Sequence, residues 1–223
     1  MSRASAIAKL NLGQITLAYG IAGLLLLVQI ANYIISMLVP ASIENTTLSI
    51  GNVALLVPLF AAILIPARNL PRMINLGGKR DDLFAGSVLA YVILCALAAL
   101  ALLLAYYTID RFMLRYVKAI DNVMAWIGFL DNGPILAFIQ MFSLILLLAS
   151  LIHLFVLAQR SWYGWVAAFI IGLCIFIAPI RSVILSFINA SFISQSALLQ
   201  IASCLAATIM IFALSRTLLK QAL

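Results

Sequence analysis

Long apolar runs separated by short polar clusters dominate the chain. Approximately residues 15–39, 48–65, 83–107, 135–157, 165–185 and 197–214 are rich in Leu, Ile, Val, Ala and Phe. A helix needs about 20 such residues to cross a hydrocarbon core of about 30 Å. Strand-like alternation is absent, and within lipid only helices or closed barrels satisfy the backbone. The pattern predicts an all-α, polytopic membrane protein: one transmembrane domain over residues 1–223, built of six spans.

The connections carry patterns of their own. After the third run, Thr108, Arg111, Arg115, Lys118 and Asn122 recur at three- and four-residue steps, with Phe112, Leu114, Tyr116, Val117, Ile120, Met124 and Ile127 between them. This spacing predicts an amphipathic helix lying at the outer interface, within the segment 108–133. The same residues also suit a third span prolonged beyond the headgroups. A DNGP turn, Asp131 to Pro134, then opens the fourth span, since proline is tolerated in a first helical turn. Tyr106, Tyr107, Trp126, Trp162, Tyr163 and Trp165 fall near expected boundaries, where such rings anchor at headgroups.

Composition agrees with lipid as the solvent: 66% of residues are hydrophobic and mean hydropathy is +1.24, against about 45–50% apolar in soluble domains. The net charge of +7 comes from thirteen Lys and Arg, placed singly at the ends of apolar runs rather than in a basic stripe interleaved with aromatics. Nucleic acid is therefore not an expected partner, whereas membrane lipid is. With the N-terminus inside, the inner side collects Arg3, Lys9, Arg68, Arg72, Lys79, Arg80, Arg160, Arg216 and Lys220, and the outer side Arg111, Arg115, Lys118 and Arg181. Nine against four places both termini in the cytoplasm of a multi-pass cell-membrane protein. The basic start, MSRASAIAKLNLGQ, is read as retained, because the apolar run after it is too long for a cleavable signal.

Catalytic chemistry is hard to assemble from this chain. His153 is the single histidine, which excludes a multi-histidine metal site and suits a bond between helices. Glu44, Asp81, Asp82, Asp110, Asp121 and Asp131 all lie at or beyond expected span ends, so no acidic relay crosses the membrane. Cys95, Cys174 and Cys204 sit inside apolar runs without metal-ligand spacing. There is no G-x-S-x-G elbow. The GGK at Gly77–Lys79 is not a Walker sequence, because Met73 stands where the earlier glycine belongs and Arg80 where Ser or Thr does. No cofactor is expected in the chain itself.

Polar residues within the runs are few. Gln29, Asn32, Gln140 and Gln200, together with Asn52 and Ser203, are candidates for interhelical bonds or for the wall of a pathway. Pro179 should bend the fifth span, and Arg181 should snorkel to the outer interface.

The connection between the second and third runs concentrates charge. Asn69 can cap a short helix with Pro71 in its first turn, carrying Leu70, Met73, Ile74 and Leu76 before Gly77 and Gly78 end it. Asp81 and Asp82 then suit the start of the third span, where the helix dipole favours negative charge, with Lys79 and Arg80 at the boundary. Such a helix suits either a groove of a soluble partner or the lipid interface.

The run Ile74-Asn75-Leu76-Gly77-Gly78-Lys79-Arg80-Asp81-Asp82-Leu83-Phe84-Ala85-Gly86-Ser87 resembles the segment of ABC-2-type exporter permeases in which a small-residue turn and a basic residue precede an aromatic at the start of the third span. The resemblance implies a cytoplasmic coupling helix, in which Arg72, Met73, Ile74, Lys79 and Arg80 meet a separate ABC ATPase subunit. It also implies a second permease subunit, the same chain or another, with ATP and Mg held by the ATPase. The family's large outer helices often lie between the fifth and sixth spans, whereas here the large outer segment follows the third. The expected function is a permease subunit of an ATP-driven exporter, for a peptide, antibiotic or lipid. The competing reading is a six-span, substrate-capturing subunit of a vitamin importer, which should gather specific polar groups in one pocket.

Overall fold

The computed structural model describes residues 3–38, 46–75, 77, 79–160 and 196–221, with the isolated positions 164–166, 182 and 186. Its elements follow the apolar runs closely. Helix α1 (Arg3–Gln14) precedes the first span, α2 (Thr16–Leu38). Strand β1 (Thr46–Leu48) leads into a composite helix made of a 3-10 turn (Ile50–Leu55), α3 (Leu56–Leu64), a π-turn (Ile65–Asn69) and α4 (Leu70–Asn75). Helix α5 (Arg80–Ala105) continues through a second π-turn (Tyr106–Asp110) into α6 (Arg111–Met113). Strand β2 (Ala119–Asp121), α7 (Val123–Ile127) and a 3-10 turn (Phe129–Asn132) connect it to α8 (Pro134–Ala158). The last helix is α9 (Ala197–Gln221). Five of the described helices are long and apolar enough to cross a membrane. The expected fifth span, 165–185, lies outside the described residues apart from those isolated positions.

Helices α5 and α8 form the centre. Leu83, Ser87, Ala90, Tyr91, Leu94, Ala98 and Leu102 of α5 repeat at three- and four-residue steps and are buried, as are Ala137, Met141, Ile145, Ala149 and Ser150 of α8. Many are small, the composition that lets helices pack closely where lipid removes the hydrophobic drive between them. Glycines mark two of the closest approaches. A Cβ on Gly51 would stand 2.9 Å from Ala105 Cβ and 3.1 Å from Leu102 Cα, and one on Gly86 would stand 2.6 Å from Ile7 Cγ2. Helix α1 is thus pressed along the start of α5. Helix α8 runs parallel to α9, because Ser143 lies beside Cys204 and His153 beside Phe212. Helix α2 is peripheral, exposing Leu24, Leu27, Ile34 and Ile35.

Three expectations are corrected. Residues 108–133 do not form one amphipathic helix. The third span runs on to Met113, the chain turns, and residues 119–121 pair in parallel with 46–48, Thr46 opposite Ala119 and Leu48 opposite Asp121. That strand pair qualifies the all-α class. The cause is tertiary: Asn122 adopts extended φ −102° and ψ 127° and caps α7 by accepting from Met124 N at 2.9 Å, which a helix through 122 would forbid. The helix preceding Gly77 also lacks an independent start. Asn69 is no cap but a buried member of a π-turn that joins α4 to the second span. Gly77, at φ 82°, ends that helix as expected, and Gly133, at φ 85°, precedes Pro134 at the start of α8.

Candidate functional site

Two polar centres stand at opposite ends of α5. At its C-terminal end, a π-turn inserts one residue per turn more than the α-helix and re-aims the side chains beyond it. Asp110 is carried inward and is 2% exposed. Its Oδ2 accepts from the Ser49 hydroxyl at 2.7 Å and from Asn122 Nδ2 at 2.9 Å, and its Oδ1 from the Tyr33 hydroxyl at 3.2 Å. Each donor is itself positioned. Ser49 caps the 3-10 turn, accepting from Gly51 N at 3.1 Å. Tyr33 accepts from Ile50 N at 3.1 Å, and its one proton is shared with the Leu48 carbonyl at 3.2 Å. Asn52 brackets the strand pair, donating to Asp121 O at 2.7 Å and accepting from Val123 N at 3.1 Å. All three donors to Asp110 are neutral and come from three parts of the chain, an arrangement that fastens the first three spans together.

At the other end lies the charged junction. Arg72 and Lys79 are exposed, and Arg80 is half-buried as the first residue of α5. Met73 and Ile74 are also half-buried, packing against a cluster of Leu70, Leu83, Leu157 and Leu219. Arg216 Nε donates to Asp81 Oδ1 at 3.0 Å across the surface. Arg160 Nη2 donates to the Pro66 carbonyl at 2.6 Å; partial burial pulls its guanidinium below the ordinary arginine value. Pro66 lies in the first π-turn, so Arg160 pins the end of α8 to the root of α4. Asn69 donates to Asn11 Oδ1 at 3.3 Å, and Asn11 to Ser87 Oγ at 3.4 Å, which ties α1 into the same junction.

The four polar span residues do not converge. Gln29 donates to the Leu48 carbonyl beside the strand pair, while Asn32 is exposed. Gln140 accepts from Asn132 Nδ2 at 3.2 Å. Gln200 is fully buried, with Nε2 at 3.8 Å from Cys204 Sγ and Oε1 without a partner among the described residues. Gln140 and Gln200 occupy corresponding turns of α8 and α9, one turn before Ser143 and Cys204. Further along, Tyr91 OH and His153 Nδ1 are 2.8 Å apart inside a ring cluster with Phe84 and Phe212. His153 is thus bonded between helices, as expected. Among the described residues no three His, Cys, Asp or Glu side chains gather as a metal site requires.

The sequence reading missed Tyr33, Ser49 and the role of Asp110, and it placed Asn122 on a helix face. Two signals pointed there: the LSIGN start, in which serine precedes a helical run, and an acid inside the prolongation of an apolar helix, where such a residue is seldom idle. No family model matches the chain, and neither a curated protein nor a solved structure does.

Proposed function

We propose that the chain is the transmembrane permease subunit of an ATP-driven exporter, working with a separate ABC ATPase and a second permease subunit. The observation that carries this reading is the exposed basic elbow between the second and third spans. Helix α4 continues the second span without a break, Gly77 reverses the chain, and α5 begins at Arg80. A push on such an elbow reaches both spans directly. Arg72 and Lys79 point charge outward from it, while Met73 and Ile74 offer partly uncovered apolar surface. Contacts of this kind combine apolar anchoring with charge-set orientation.

Orientation also fits. The ion pair Arg216–Asp81 and the bond from Arg160 to Pro66 bring together residues that basic-residue counting assigns to the cytoplasmic side. The parallel course of α8 and α9 is what a crossing between them requires. A substrate-capturing importer subunit fits less well. The groove bounded by α2, the 3-10 turn and α5, about 430 Å³, is lined by Ala22, Gly23, Leu26, Val57 and similar apolar residues, with Thr108 as the polar exception.

The test is affinity purification of the full chain in mild detergent, with identification of co-purifying nucleotide-hydrolysing subunits. Recovery of an ABC ATPase that crosslinks to a cysteine placed at Arg72 supports the reading. A chain that purifies without one from cells in which it is active defeats it.

A further inference from the structure

A second groove runs along the start of α5, and it is built differently from the first. Asp81, Phe84, Ala85, Val88, Leu89 and Val92 line it, together with Arg216 from α9, and enclose about 490 Å³, a volume typical of small-molecule clefts. The α5 residues follow i, i+3, i+4, i+7, i+8 and i+11, one face of a helix. From Asp81 to Val92 the helix rises about 16 Å, close to half of a hydrocarbon core of about 30 Å. The groove is therefore one leaflet deep. Its mouth is charged and its floor is apolar.

The mouth has a definite polarity. Arg216 and Asp81 meet through an Nε to Oδ1 contact, and their side chains remain 53% and 58% exposed. A guanidinium carries several donors and a carboxylate several acceptor sites, so at this exposure both can serve a further group. Phe84, which faces the groove, is fixed edge-on to Phe212 at 6.1 Å, one helical turn before Arg216. The wall beside the charged pair is thereby set by core packing. An anion and a cation at the mouth of a leaflet-deep apolar trough are complementary to the ammonium, phosphate and acyl chain of a zwitterionic phospholipid.

We propose that this groove binds one acyl chain of a zwitterionic phospholipid bearing a primary ammonium, from the leaflet at the Arg80 end. The lipid phosphate meets Arg216 and the ammonium donates to Asp81. A trimethylammonium head has no proton to donate, and an anionic head without an amine offers Asp81 no partner and some repulsion. The inference is independent of the transport function.

The experiment uses the full chain, delipidated in mild detergent and offered phosphatidylethanolamine, phosphatidylcholine or phosphatidylglycerol of matched chains, with bound lipid counted by native mass spectrometry. The expected order is phosphatidylethanolamine first, the other two weaker by roughly tenfold or more, as one charge-assisted bond dictates. Arg216→Gln should lower retention of all three, Asp81→Asn should remove the preference for the primary ammonium, and Ala85→Phe should fill the trough and abolish retention. Exposed ion pairs add little stability, so the charge variants should retain the fold, which an unchanged thermal midpoint checks. Equal retention by Arg216→Gln and the unmodified chain overturns the proposal. So does tighter holding of phosphatidylglycerol, or a dimer that Ala85→Phe dissociates, which would make a second copy the occupant.

Discussion

Ser49 and Asp110 are 61 residues apart in sequence and their side-chain oxygens are 2.7 Å apart in space. The bond joins the entry of the second span to the exit of the third. It is the shortest of the three that Asp110 accepts, and Ser49 is 1% exposed, so little water competes for either group.

Ser49→Ala should therefore cost about 1.5–3 kcal/mol, the usual worth of a bond to a charged group. Tyr33→Phe should cost less, about 1 kcal/mol, because its proton is shared between two acceptors at 3.2 Å. Asp110→Ala should cost at least as much as Ser49→Ala, since it strands three donors while relieving one buried carboxylate. Thermal midpoints of the purified variants give the order, and a Tyr33→Phe effect larger than the Ser49→Ala effect would refute the assignment.

Gly86→Val should dislodge α1 from α5. The new Cβ meets Ile7 at 2.6 Å and the Ala4 carbonyl at 3.0 Å, and backbone cannot move aside as a side chain can. Overpacking of this kind costs about 1–3 kcal/mol. Hydrogen exchange should rise across residues 3–14 and stay unchanged in α8. Uniform protection would mean that α1 absorbs the intrusion.

Tyr91→Phe should keep the ring cluster but remove the bond to His153, costing about 0.6–2 kcal/mol, the range for interhelical bonds in membranes. His153→Leu should cost more, because it also removes edge contacts to Phe84, Tyr91 and Phe212. Equal midpoints for Tyr91→Phe and the unmodified chain would show that the 2.8 Å contact carries no net energy.

Arg72→Glu reverses an exposed charge without touching the core, so abundance in the membrane should hold while, on the proposed function, ATPase association falls. Ile74→Asp should lower association too, but it also places a charge beside Leu70, Leu83 and Leu157, where an unpaired charge is costly. Some loss of abundance is therefore expected for Ile74→Asp and none for Arg72→Glu. Normal pull-down of both variants would remove the elbow from the coupling pathway.

Among the described residues, five spans were legible because lipid imposes a single rule, long apolar runs, and Thr16–Leu38 and Pro134–Ala158 lie within a residue or so of the expected limits. Gly77, Gly133 and the Asp81-Asp82 start of α5 were legible for a similar reason, since each is local turn or dipole chemistry. What escaped was decided by distant partners. The periodic charges of residues 108–122 resembled a helix, but Asn122 gains more by capping α7 and bonding Asp110, and the backbone of 119–121 by pairing with 46–48. In the same way, Asn69 looked like a cap until Asn11 supplied it with a buried partner. The candidate polar residues were found individually, whereas their surroundings were not, because Gln29, for one, is positioned by the Leu48 carbonyl, a neighbour that no local pattern encodes.

The strand pair sets a timetable for the chain's birth. Ser49 and Asn122, which flank the two strands, are separated by 73 residues. At about 5–20 residues per second of synthesis, roughly 4–15 s pass between the making of one and of the other. Throughout that interval the edge of β1 is unpaired, and parallel pairing across so long a loop is slow to form. Until residues 119–121 have been made, Thr46–Leu48 therefore has no strand to pair with. The third span ends that interval by delivering both the carboxylate and the matching strand.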